Sequence, residues 1–451
     1  MRWRRMAGTI LLAAALALPS AAEQPKLTLQ QAVAAALQNS PAEKLAAAGV
    51  QAAEVRFRLA RTPLLPQITF SESITGGNDP VYAFGTKLRQ QVFSNSDFGL
   101  NSLNRPSPIP NFSTSFSGRW TAFDSGQTRF QMRRARLLKQ SAEVSGSRTS
   151  QETIYRTVSA YESVLIASRE LEVTRHSVDT AQALYELGRN RVNAGLAVES
   201  DALSAQVNLA HRKQELIQAE GARQTAWAEL EAAVGVALPL GPESLEELQE
   251  HAFTTGALAE EIAQALEKRP DLASLALQTS AQKTAVQSAK WDFGPRVNVF
   301  GSWQADRHSF AGSGGENWMS GAELRVDLLP VGKRWQLQQE KVALLSAKAG
   351  EELARNTIRV EVSRAYFGHQ AAGQMLEVAR SAKAQAAESL RILRNRYDAG
   401  LVSITDVLGA EDADRQSQSG YWQAAYRNAL SYAALRLATG TLNADQVVNL
   451  Q

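Results

Sequence analysis

The side chains able to do covalent or metal chemistry are few and poorly spaced for it. Cysteine is absent, and the five histidines (His176, His211, His251, His308 and His369) never place two on one helical turn, so no zinc or copper site can be assembled from them. Gly332-Lys333 lacks the earlier glycine and the following Ser/Thr of a phosphate loop, and Gly312-Ser313-Gly314 lacks the strand-turn-helix setting of a nucleophile elbow. Carboxylates are plentiful, but they run beside Arg and Lys as on a solvated helix face. The chain therefore reads as a non-enzyme without a cofactor. Two aspartates stand apart, Asp201 and Asp406, each at the start of a helix, where unpaired N–H groups and the helix dipole favour a carboxylate whatever else it does.

Those aspartates occupy equivalent places in a duplication. Arg189 to Leu196 reads RNRVNAGL, and 205 positions later Arg394 to Leu401 reads RNRYDAGL; Asp201 and Leu203 follow the first as Asp406 and Leu408 follow the second. The match continues without a gap to Gly235 and Gly440, and upstream Pro41, Ala52, Ala60 and Pro66 recur as Pro270, Ala281, Ala289 and Pro295 at an offset of 229. The fold is thus expected to be two copies of one long unit.

Arg2, Arg4 and Arg5, the apolar run Ile10 to Leu18 and Ser20-Ala21-Ala22 have the layout of a signal peptide covering residues 1–22. Without those three arginines the 48 Lys+Arg fall to 45, equal to the 45 Asp+Glu, so charge gives no argument for nucleic acid. Beyond the signal no run of about 18 apolar residues offers a transmembrane helix, which leaves a β-barrel as the way into a bilayer.

The first copy, residues 23–235, reads as a helix over 27–62, strands over 66–76 and 112–123 joined by an extracellular loop 77–111, and long helices over 126–193 and 200–235. After a linker, 236–256, the second copy (257–451) repeats this with a helix over 257–291, strands over 295–306 and 318–329, long helices over 332–398 and 405–440, and a tail. Thr28 is the expected N-cap of the first helix. In the strands Ile68, Phe70 and Ile74, then Phe112, Phe116, Trp120 and Ala122, alternate with Ser, Thr, Gln and Arg; Val297, Val299 and Trp303, then Trp318, Ala322, Leu324, Val326 and Leu328, do the same. Four strands of about ten residues can cross a bilayer but cannot close a barrel, whereas three chains supply twelve. Each longest helix, nearly 70 residues, would extend about 100 Å, too long for a small domain. Alanine-rich return helices suit a hollow cylinder packed by coiled-coil contacts.

The motifs R-V-N-A-G-L…D-x-L from Arg191 and R-Y-D-A-G-L…D-x-L from Arg396, with strand pairs ending in Phe123-Asp124-Ser125-Gly126 and Leu329-Pro330-Val331-Gly332, resemble the TolC-type outer membrane efflux protein family over essentially the whole mature chain. The resemblance implies a mainly α fold with some β, a homotrimer whose long helices form an α-barrel tunnel through the periplasm and whose strands share a 12-stranded barrel in outer-membrane lipid. It implies a passive exit duct for tripartite efflux or type I secretion, coupled through a periplasmic adaptor (membrane fusion) protein to an inner-membrane pump of RND or ABC type. It also assigns a periplasmic gate, in which Tyr397 is expected to hydrogen-bond Asp201, and in which Asp406 matches the first of two aspartates ringing the constriction. The second falls on Gly409. An arginine that restrains the tip in such proteins is Val402 here, with Ser200 at its partner's position. The docking tips are Ala194, Gly195 and Leu196, and Ala399, Gly400 and Leu401. The competing reading is a periplasmic coiled-coil scaffold or adaptor whose strands form a soluble layer.

Overall fold

The computed structural model describes residues 26–246 and 253–445. The expected signal peptide, part of the linker and the end of the tail lie outside the described residues.

Helices α1 (Leu29–Asn39) and α2 (Pro41–Leu59) open the first copy, and α7 (Leu258–Lys268) and α8 (Pro270–Trp291) open the second; between them lie β1 (Gln67–Gly77), α3 (Pro80–Arg89), α4 (Leu100–Asn104), β2 (Ile109–Phe123), α5 (Gln127–Asn193) and α6 (Glu199–Val234). The second copy continues with β3 (Arg296–Arg307), β4 (Gly314–Arg325), α9 (Val331–Asp398) and α10 (Ile404–Ala438). Thr28 caps α1 in a reciprocal box with Gln31.

The single helices expected over 27–62 and 257–291 are each broken in two. Proline excludes the preceding residue from the helical region, so Ser40 (ψ 134°) and Arg269 (ψ 122°) turn extended, and Pro41 and Pro270 start new helices. At the second break the buried Arg269 guanidinium meets Asp271 and Glu361 and donates to the Ala438 carbonyl, tying the break to α9 and α10.

The strands form one antiparallel sheet in the order β1-β2-β3-β4, so the two repeats join through β2 and β3. Three boundaries differ from expectation. The fourth strand is Gly314–Arg325 rather than 318–329, because its pairing with β3 ends at Arg296↔Arg325, next to Pro295, which has no N–H to extend the ladder; Val326 and Leu328 therefore lie beyond the sheet. A register shift between Thr121 and Phe123 makes Ala122 the extra residue, so Phe123 takes the apolar-face position opposite Val297. The loop 77–111 is not irregular throughout, since it contains α3 and α4 and gives its last residues to β2.

The long helices pack within each hairpin, α5 on α6 and α9 on α10, and α5 also packs on α8 and α10, which joins the repeats. The largest apolar cluster lies where α1 meets α5 and α6: Leu29, Val33, Val158, Val164, Leu230 and Val234 are buried there, and the Tyr161 hydroxyl donates to the Leu27 carbonyl at 2.7 Å. Among the described residues no helix is long and apolar enough to cross a membrane.

Candidate functional site

Two regions carry the functional argument, the sheet at one end of the long helices and their paired tips at the other. Register places Phe70, Phe116, Trp303 and Trp318 in one row across all four strands, with Phe123, Val297 and Leu324 and then Trp120, Val299 and Ala322 in rows on the same face nearer the helices. Past the aromatic row, toward the hairpin ends, the same face carries a polar row of Glu72, Thr114 and Glu316, and beyond it a row of Ile74, Phe112 and Arg307, with Arg307 3.7 Å from Glu72. Apolar band, aromatic row and charged row follow in the order of a wall passing from hydrocarbon to headgroups. The opposite face carries Thr69, Ser71, Ser73, Ser113, Ser115, Ser117, Ser302 and Gln304, with Ser71 and Ser115 linked at 2.7 Å. β1 and β4 each have one edge unpaired among the described residues. Open edges of this length call for further strands.

At the far end both long helices stop in the same way. Gly195 and Gly400 take φ +70° and +73°; Leu196 N–H returns to the Arg191 carbonyl at 2.8 Å and Leu401 N–H to the Arg396 carbonyl at 2.9 Å. This closure leaves Ala194, Gly195, Leu196, Ala399, Gly400 and Leu401 all exposed at the tips.

The return helices begin differently. Ser403 and Asp406 cap α10 reciprocally: the Asp406 carboxylate accepts from the Ser403 hydroxyl at 2.6 Å and its N–H at 2.9 Å, and these bonds hold the carboxyl below the usual range. α6 has Val198 at the corresponding place and no side-chain cap. Asp201 is half-buried in its first turn, and Ser200 is exposed.

The expected Tyr397–Asp201 hydrogen bond is not formed among the described residues. Tyr397 is instead buried among Leu184, Leu390, Ile404 and Val407, and the partly buried Val402 packs on that cluster in place of an arginine. Arg191 of the first copy reaches the second, its guanidinium 4.3 Å from the centre of the Tyr397 ring and donating to the carbonyls of Tyr397 (3.0 Å) and Asp398 (3.3 Å). A cation there answers the negative dipole end of α9 and the π face of the ring. Arg191 lies inside the repeated motif, but its ring partner is 206 positions away and no local pattern marks it.

A second joint sits further up, between α6 and α10. Buried Arg212 contacts Glu215 and Asp412, and Arg415 lies 3.6 Å from Glu215. Burial pushes the Glu411 carboxyl up, against the pull of Arg394 and Arg212. The sequence does carry a signal for this joint: Arg212 falls on the same helix stripe as buried Ala205, Leu209 and Ala219. Among the described residues no group of three or more His, Cys, Asp or Glu is placed to hold a metal.

Lipid-length strands with a wet and an apolar face, open sheet edges and duplicated helix pairs define a subunit of a membrane channel. The chain belongs to the outer membrane efflux protein family, which it matches over residues 32–236 and 262–441. Protein CyaE of Bordetella pertussis is 24% identical over 433 residues, covering 93% of this chain and 83% of that protein. Alkaline protease secretion protein AprF of Pseudomonas aeruginosa is 23% identical over 310 residues, covering 65% and 62%. The crystal structure of the Campylobacter jejuni CmeC outer membrane channel superposes with a TM-score of 0.76 at 16% identity, covering 93% of this chain and 88% of that one. The protein is thus placed in the outer membrane with its helices extending into the periplasm.

Proposed function

We propose that this chain is one third of a trimeric exit duct, passive in itself, whose tips are drawn apart by a periplasmic adaptor working with an inner-membrane pump. The observation that carries the reading is the sheet: four strands with two open edges, one aromatic-banded face and one hydroxyl-lined face. Three such sheets joined edge to edge close a barrel with every backbone group paired, which hydrocarbon demands. The hydroxyls then line water, and the aromatics meet lipid.

The tips form the gate in this reading. Asp406 sits next to the mouth in its capping role, and Arg191 supplies the clasp between the two hairpins of one chain in place of a Tyr397–Asp201 bond. The exposed glycine turns are the docking surface for the adaptor. AprF is named for the secretion of a protease, and polypeptide export through a pump of ABC type is the corresponding assignment here, with efflux of small solutes by an RND pump as the other member of the same class. Single-particle imaging of detergent-extracted protein tests the duct. A threefold tube with a helical section about 100 Å long is the expected result; a small particle soluble without detergent overturns the reading.

A further inference from the structure

The loop between β1 and β2 does not stand clear of the sheet. Helix α3 lies across the hydroxyl-lined face at the hairpin ends, furthest from the long helices; it is fastened to β1, β2 and β4, and to β3 through Asn111 of β2. Tyr82 Oη lies 3.0 Å from Thr75 Oγ1 on β1 and donates to the Ile109 carbonyl at the start of β2. Just past α3, Gln90 Nε2 donates to Pro110 O and Asn111 Oδ1, both at 2.9 Å, and Asn111 Nδ2 donates to Asp306 Oδ1 on β3 at 2.7 Å. Gln304 Nε2 completes that set at 2.9 Å. On β4, Asn317 Nδ2 donates to the Arg89 carbonyl at 3.2 Å, and a side chain at Gly315 would run into that same oxygen.

The strand positions involved, Thr75, Asn111, Asp306, Gly315 and Asn317, all belong to the register rows of the serines, not to those of the aromatics. Gln90, Asn111 and Asp306 are 2%, 5% and 0% exposed. A flap that opened readily would not bury three polar side chains beneath it, since each would need its partners again in every closed state. The second repeat has no counterpart, because β3 and β4 are joined by residues 308–313 alone.

From this seat, and resting on the duct reading above, we infer that α3 is a fixed size filter at the outer mouth, setting the width of what can leave. Twelve strands spaced ~4.8 Å apart and tilted ~40° set their backbones on a circle about 24 Å across, and three helices each ~10 Å wide inside it occupy most of the space. Cargo that leaves past them is an extended chain or a small solute, not a folded domain.

The absence of cysteine gives a direct test that bypasses the periplasmic tips. Ser117 is exposed on the hydroxyl face, deeper than α3. In intact cells producing full-length Ser117→Cys protein, a small polar maleimide should label the site and a bulky polyethylene-glycol maleimide should not. Replacing residues 80–108 with the short connection 308–313 should admit the bulky reagent. The double variant Tyr82→Phe with Gln90→Ala, which frees α3 and leaves the strands unaltered, should do so more slowly. Equal labelling by the bulky reagent with and without α3 overturns the filter while leaving the duct intact. Failure of the small reagent to label any of these proteins overturns the face assignment, and with it the duct and the filter.

Discussion

The contact between Arg191 and Tyr397 separates a hydroxyl-dependent clasp from a ring-dependent one. The tyrosine hydroxyl makes no bond to Asp201, while its ring carries the guanidinium and the carbonyls behind it take the guanidinium's hydrogen bonds. Tyr397→Phe is therefore expected to leave single-channel conductance unchanged, whereas Arg191→Ala removes a cation–π contact and two charge-assisted bonds, together about 1–2 kcal/mol. That loss shifts the closed mouth toward opening roughly tenfold, read as raised conductance or as sensitivity of cells to large antibiotics; raised conductance in Tyr397→Phe would restore the hydroxyl latch. A second residue-scale effect concerns Glu162, fully enclosed in the middle of α5, where burial pushes its carboxyl up to about 8. Its folded pKa lies above its unfolded value near 4.5, so the folded state holds the extra proton between those limits. Stability is highest below the lower limit and falls as pH rises through the window, by up to ~1.4 kcal/mol per pH unit. Thermal midpoints measured from pH 5 to pH 8 should decline in the wild type and flatten in Glu162→Gln; parallel curves would mean that the carboxylate finds a partner when it ionises.

At the level of elements, the glycine turns join two helices at each tip, and substitution there tests docking apart from folding. A Cβ on Gly195 or Gly400 meets nothing within 4 Å, so only the left-handed backbone resists it, a cost of ~1–2 kcal/mol. Gly400→Ala should therefore export nearly as well as the wild type, and Gly400→Trp should lose export while assembling normally, because the added bulk projects into solvent where an adaptor would sit; retained export by the tryptophan variant places the adaptor elsewhere. The tips, the duplication and the helix lengths were legible because each is written locally, as a repeated motif, a period or a glycine. The Ser40-Pro41 and Arg269-Pro270 breaks were equally local, yet the apolar period carries on through both prolines and hides the change of direction. The bulge at Ala122 and the end of β4 at Arg325 were not legible, since a partner strand decides both. The same holds for α3, whose polar anchors are explained only by the sheet beneath it, and for the clasp, whose Arg191 and Tyr397 lie 206 positions apart.

For the whole molecule, the duplication determines which faces must meet another copy. Inside one chain α5 meets α10 through an apolar cluster at the tip, Leu184 against Ile404 and Val407, and through polar contacts further up: Arg148 donates to the Leu437 carbonyl, Gln151 to the Gly440 carbonyl, Ser419 to Glu170, and Arg169 stacks over Trp422. From Ala160 onward an offset of 205 carries α5 onto α9, and the position equivalent to Glu170 is Met375. Leu353, Val360, Phe367, Met375 and Val378 form a stripe left 56–70% exposed along α9, and on α6 Val207 and Ile217 are 71% and 70% exposed. An apolar stripe of this length on a charged helix is the mark of a covered face. In the proposed trimer, quasi-symmetry would cover it by setting α9 of one chain against α6 of the next, as α5 meets α10 within a chain. Val360→Asp combined with Phe367→Asp should leave each chain folded, with helical circular dichroism retained, yet give monomers by light scattering in detergent where the wild type gives trimers. Arg148→Ala, which alters only the joint within a chain, should leave the trimer intact. If instead the double aspartate variant assembles and Arg148→Ala does not, copies meet through the polar face, and the assignment of joints is reversed.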